Sequence, residues 1–312
     1  MMTLDPSLPA QGAEVDLARL LSLRFSARQV DIRRRRRALA ELSGGQRSNF
    51  RGRGIEFEEV RGYQPGDDIR AIDWRVTART GVAHTKLFHE ERERPVLLIV
   101  DQRRCMQFGS RHCFKSVLAA EIAALIAWSA LGGNERIGAL LMHDSGHWEM
   151  RPRNSRRTVL SILSALSDAK PTHTSQALPE AQFGDMLRSA RRVARPGTSI
   201  FLISDFDGAD AEDAQEELFQ LARHSEITGV HCSDPLEERL PPAGLYAVTD
   251  GNTRAELNTR DGQISARFAR QYARRLEEQR ERLQRLGIPL LNASTADAPL
   301  TLLRTMYGDG RP

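Results

Sequence analysis

The apolar positions of this chain change period along its length, and the change divides it. Val96-Leu97-Leu98-Ile99-Val100 is an unbroken apolar run ending in Asp101, and Thr198–Ser204 is a second, followed by Asp205. Short runs without alternation predict strands buried on both faces of a parallel sheet. Around them the spacing turns helical over Phe114–Leu131 (stopped by Gly132-Gly133), Ser155–Leu166, Leu178–Ala194, Ala211–Arg223, Gln263–Leu286 and Ala298–Tyr307. Arg136–Met142, Glu226–His231 and Ile288–Leu291 read as further strands, and Gly146–Met150 as a hairpin partner. Tyr246–Val248 and Arg254–Leu257 suggest a short hairpin around Asp250-Gly251-Asn252. Strands alternating with helices of this length predict an α/β fold, a mostly parallel sheet with helices on both faces.

Before Arg94-Pro95 the pattern differs. Gly54–Val60 and Val82–Phe88 alternate, which predicts a small β-rich extension over residues 46–94. Glu14–Phe25 has helical spacing, with acids early and an arginine late, the signs that suit the helix dipole. Residues 1–45 are expected to form a flexible or helical basic arm, and residues 95–312 the α/β domain.

Charge sharpens this division. Residues 1–94 hold 18 basic and 14 acidic residues, so the whole net charge of +4 lies there, with its focus in Arg33–Arg37. That run suits a solvated helix face, or contact with an anionic membrane surface or an acidic partner. No nucleic-acid-binding module or interleaved aromatics accompany it, which argues against nucleic acid. Cys105, Cys113 and Cys232 are odd in number and lack zinc spacing, so reduced thiols are expected. The most apolar stretch, Val117–Leu131, carries Glu121 and falls short of the ~20 residues of a membrane span, so a buried amphipathic helix is expected. With no evident secretory signal, the expected location is the cytoplasm.

The densest cluster of unusual residues is Arg61-Gly62-Tyr63-Gln64-Pro65-Gly66-Asp67-Asp68-Ile69-Arg70-Ala71-Ile72-Asp73-Trp74. Pro65-Gly66 is a turn signal, and the carboxylates after it can accept turn amides or cap a helical turn. Arg61, Arg70, Arg75 and Arg79 surround them, favouring ionised, structural carboxylates and a recognition surface. Tyr63 and Trp74 are expected to pack. An alternative is a metal-dependent hydrolase using Asp67, Asp68 and Asp73. No phosphate-cradling loop, Gly-x-Ser-x-Gly elbow or His-Glu-x-x-His pair is present.

This run, with Arg53-Gly54-Ile55-Glu56-Phe57, Thr77-Ala78-Arg79 and Lys86-Leu87-Phe88-His89-Glu90-Glu91, resembles the bacterial domain of unknown function 58 family. The resemblance implies a von Willebrand A-like fold and partnership with a MoxR-type AAA+ ATPase, hence a non-enzymatic adaptor that links remodelling to a client complex. It also implies a magnesium site at the carboxyl edge of the sheet: an aspartate, serines two and four residues later, a threonine from a later loop, and a second aspartate. Here these positions are Asp101, Arg103, Cys105, Thr174 (with Thr172 close by) and Asp205. Arginine has no acceptor, and a thiol is a soft donor, so magnesium is expected to bind poorly and no cofactor is expected. Turned inward, Arg103 replaces the cation by bridging Asp101 and Asp205; turned outward, it leaves a carboxylate-only site. In a third reading both aspartates only cap the helices that follow.

Overall fold

The two apolar runs become the centre of the sheet. The computed structural model describes residues 7–32, 55–64, 69, 72–90, 95–169, 182–249 and 254–308. The chain forms two units, Met1–Ala40 with Arg94–Pro312, and Glu41–Glu93.

In the larger unit β3 (Val96–Asp101) and β6 (Ser199–Ser204) lie side by side, every residue buried. Around them run α3 (Lys115–Gly132), β4 (Ile137–His143), β5 (Gly146–Arg153), α4 (Arg156–Asp168), α5 (Phe183–Val193), α6 (Glu212–Ala222), β7 (Glu226–Ser233), α7 (Pro235–Glu238), a β8 (Leu245–Thr249) and β9 (Arg254–Asn258) hairpin, α8 (Gly262–Arg285), β10 (Leu290–Ser294) and α9 (Pro299–Tyr307). The sheet order is β10-β7-β6-β3-β4-β5, parallel throughout except for β5, the expected hairpin partner of β4. Alternate residues of each strand face opposite layers. Leu98, Val100, Phe201 and Ile203 pack with α3, α4 and α9, while Leu97, Ile99, Ile200 and Leu202 pack with α5, α6 and Leu283 of α8. Helices therefore cover both faces, as the pattern predicts.

Two expectations change. α3 is long and apolar enough to cross a membrane by length and composition, but it lies in the core, buried from Lys115 to Ala130 on every side and so not amphipathic. Its outer side is covered by the N-terminal segment. α1 (Leu17–Ser22), a 3-10 turn (Ser26–Gln29) and Ile32 place Leu20, Leu23, Ala27, Val30 and Ile32 in the same cluster as α3. Residues 7–32 are thus part of the α/β unit, which differs from the expected separate arm of 1–45.

In the smaller unit β1 (Ile55–Gly62) pairs antiparallel with β2 (His84–Glu90). Between them α2 (Trp74–Thr80) starts at Asp73 and ends at Gly81, whose φ of 73° is the left-handed C-cap geometry that glycine adopts without strain.

Candidate functional site

Sheet topology brings the two strand-terminal aspartates together. From β3 the chain crosses to β4 on one side, and β6 returns on the other side, so a topological switch lies between β3 and β6. Crevices form at the carboxyl ends of such neighbours. Asp101 and Asp205 meet there with Cys105, their ligand atoms lying within 4.8 Å of one another.

Arg103 turns inward. Its Nε and Nη2 donate to the Asp101 carboxylate at 3.0 and 2.8 Å, and its Nη2 also donates to the Asp207 carbonyl at 3.0 Å. The backbone amide of Arg103 donates to Asp101 Oδ1, and Ser204 Oγ donates to Oδ2 at 2.7 Å. The guanidinium also lies over the Phe183 ring, 5.6 Å from its centroid. Asp101 is fully buried and Arg103 only 4% exposed, so this is an interior ion pair whose donors and acceptors are satisfied. Burial opposes the arginine's charge, yet the Asp101 carboxylate keeps it firmly protonated.

A second cation, not anticipated from the sequence, serves Asp205. Lys115 Nζ donates to Asp205 Oδ2 at 2.8 Å and to Glu237 Oε1 at 2.6 Å. Asp234 sets up this contact. It caps α7 through the Leu236 amide, and the Glu237 side chain reaches back to the Asp234 amide in a capping box. One clue lay in the sequence: Lys115 is the first residue of a largely apolar helix, where the dipole disfavours a cation without a partner. Burial alone would raise the Asp205 carboxyl; Lys115, the Asp207 amide and Arg103 together hold it below the usual range.

Phe206, next to Asp205, adopts φ 60°, a left-handed conformation costly for a bulky residue. Its ring is held between Phe183 and His231, at centroid distances of 5.9 and 6.3 Å. Gly229 leaves room for it, since a Cβ there would lie 3.1 Å from the ring.

The cluster does not fit a hard divalent cation. Asp101 already accepts from a guanidinium, an amide and a hydroxyl, and Asp205 from an ammonium. The third donor is a thiol kept protonated by burial and by both carboxylates. Two fixed positive charges stand where magnesium would need to shed water onto oxygen ligands. The inward alternative for Arg103 is the observed one, but its guanidinium binds Asp101 and the Asp207 carbonyl rather than bridging to Asp205, which pairs with Lys115.

His231 supplies a pH handle. Burial pushes its imidazole down to about 4, with Lys115 acting in the same direction and Asp205 opposing. An unfolded histidine takes up its proton near 6.5, which the folded chain does not match until about 4. Stability is therefore full above neutral pH and declines as pH falls from 6.5 towards 4, by about 2 kcal/mol between pH 7 and 5. The lowered Asp205 carboxyl adds its loss only in stronger acid. Urea unfolding at the two pH values should show this difference, and His231→Gln should flatten it.

The signature unit gives a partial picture. Arg61 Nη1 donates to the Gly62 carbonyl, and the Tyr63 amide donates to Ala83. Asp73 is the N-cap of α2, accepting from the Arg75 and Val76 amides at 3.0 and 3.2 Å, which gives it a structural task. Trp74, expected to pack, is 67% exposed. Arg33–Arg37, Pro65, Gly66, Asp67, Asp68, Arg70, Thr172 and Thr174 lie outside the described residues.

Sheet order, helices on both faces and acids at the carboxyl ends of two adjacent central strands define a von Willebrand A-like α/β domain with an altered rim. The family described as protein of unknown function DUF58 matches residues 59–282, and the chain belongs to it. Uncharacterized proteins of Mycobacterium bovis and Mycobacterium tuberculosis are 30% identical over 248 residues, covering 78% of this chain and 76% of theirs. Among solved structures, the conserved hypothetical protein BatB from Bacteroides thetaiotaomicron aligns with TM-score 0.40 and 13% identity, over 68% of this chain and 95% of that one. The SpRpn10 VWA domain aligns with TM-score 0.39 and 12% identity, over 70% and 98%.

Proposed function

We propose that the protein is a non-enzymatic, cytoplasmic adaptor that works with a MoxR-type AAA+ ATPase, linking ATP-driven remodelling to assembly of a client complex. One observation carries the non-enzymatic part: both rim carboxylates are neutralised by the chain's own cations, Arg103 and Lys115. Carboxylates so paired are poor general bases and poor metal ligands. They suit a rigid, charge-balanced platform that needs no ion to hold its shape. The sequence resemblance supports the choice of ATPase partner, and the exposed Trp74 beside its capped helix offers the kind of aromatic anchor that interfaces favour. The reading is tested by affinity purification of the full chain from its native host with magnesium and ATP or ADP. Recovery of an AAA+ ATPase, reduced by Trp74→Ala, is expected. A preparation free of any ATPase under every nucleotide condition sinks the adaptor reading.

A further inference from the structure

On the face of the sheet away from α3, α6 and α8 stand apart around a groove of about 1500 Å³. Small-molecule sites usually span ~300–1,000 Å³, so this space suits a stretch of polypeptide. One wall, the loop after β6 and the start of α6, carries Asp207, Asp210, Glu212, Asp213 and Glu216. All five are exposed, and among the described residues none has an ion pair. The other wall is one side of α8, where Phe268, Leu276 and Leu286 are half-buried beside Arg275, Arg282 and Arg285. Phe219 of α6 adds an exposed ring.

A second observation points to a ligand. His231 lines the same groove, is 7% exposed, and its Nδ1 has no hydrogen-bond partner. Gln279 Nε2, from α8, is unpaired too. Buried polar atoms without partners are costly and call for an explanation.

We propose that this groove docks an amphipathic helical segment of a partner protein, with its apolar face on α8 and Phe219 and a lysine- or arginine-bearing edge against the carboxylate wall. Charge complementarity selects that occupant. The protein as a whole is basic, yet this wall is a local row of uncompensated carboxylates. The arginines opposite repel a uniformly basic peptide, so the segment's other edge is acidic or neutral. Walls of opposite sign then fix how the segment lies. The unpartnered His231 Nδ1 offers a hydrogen bond to an uncharged polar side chain reaching the inner end. The groove is independent of which protein supplies the segment.

The test uses the full chain and labelled synthetic helices sharing one leucine face. One carries lysines along one edge and glutamates along the other; a second carries glutamates on both edges. The first is expected to bind, to weaken as salt rises, and to lose about tenfold in affinity with Asp210→Asn/Glu212→Gln/Glu216→Gln or with Leu276→Asp. These exposed or half-buried positions should leave the thermal unfolding midpoint in place, separating lost docking from lost fold. The all-glutamate helix is expected not to bind. Equal binding of both helices, no binding of the lysine-edged helix, or affinity indifferent to the substitutions overturns the proposal.

Discussion

Arg103→Ala is expected to destabilise the α/β unit by about 3–5 kcal/mol, because it strands a fully buried carboxylate. Asp101 would keep only the Ser204 hydroxyl and a backbone amide. Arg103→Lys should recover part of the loss, since a lysine restores charge but not the paired Nε and Nη2 geometry. Urea unfolding reads both. The same wiring predicts indifference to metal: millimolar magnesium or manganese should leave the wild-type midpoint unmoved. Arg103→Ser/Cys105→Ser/Lys115→Met removes both cations and the thiol, and leaves hydroxyls and two bare carboxylates. That variant should be weak alone and regain stability with added manganese, in proportion to RT ln(1 + [metal]/Kd). A wild-type midpoint that rises with magnesium would mean that the Asp101–Arg103 pair opens for a cation, and the platform reading would fail with it.

The parts of this site that were legible in the sequence are those fixed by local pattern. An apolar run closed by aspartate announces a buried strand with its acid at the carboxyl end, and two such runs placed Asp101 and Asp205 on one rim. That Arg103 departs from a metal site came from the family resemblance and not from the residues alone, and its direction waited on packing against Phe183 and the Asp207 carbonyl. Lys115 and Glu237 were not legible as partners. They lie 90 residues before Asp205 and 122 after Lys115, and only the crossover from β3 to β6 and the capping box at Asp234 bring them together. Trp74 misled because aromatic content predicts burial in general, while an N-cap at Asp73 sets only where a helix begins and not which way its first residue points. For α3, Glu121 suggested an amphipathic helix, but apolar residues surround it rather than forming a stripe, so it needs a cover on every side. The one supplied by the N-terminal segment was hidden by its short helix.

That cover makes the second large prediction. Deleting residues 1–32 is expected to leave the unit unfolded or aggregated at neutral pH. The segment buries Leu20, Leu23 and Ile32 against α3, and removing each large aliphatic side chain from a core costs about 2–5 kcal/mol. It also donates polar partners that α3 cannot replace. Trp128 Nε1 donates to the Leu20 carbonyl at 3.1 Å and Ser129 Oγ to the Val30 carbonyl at 2.6 Å. Arg19 pairs with Glu121 at 3.0 Å, and Glu121, whose burial raises its carboxyl, would be left as an unpaired acid on an apolar helix. Together these losses match or exceed the ~5–15 kcal/mol that hold a typical domain folded. Leu23→Ala alone should lower stability by about 2–5 kcal/mol without changing the oligomeric state, a milder form of the same defect. Size-exclusion chromatography, dye binding to exposed apolar surface and urea unfolding distinguish the outcomes. A truncated chain that stays monomeric with the full-length midpoint would make the segment dispensable, and α3 would then need another explanation for being apolar on every side.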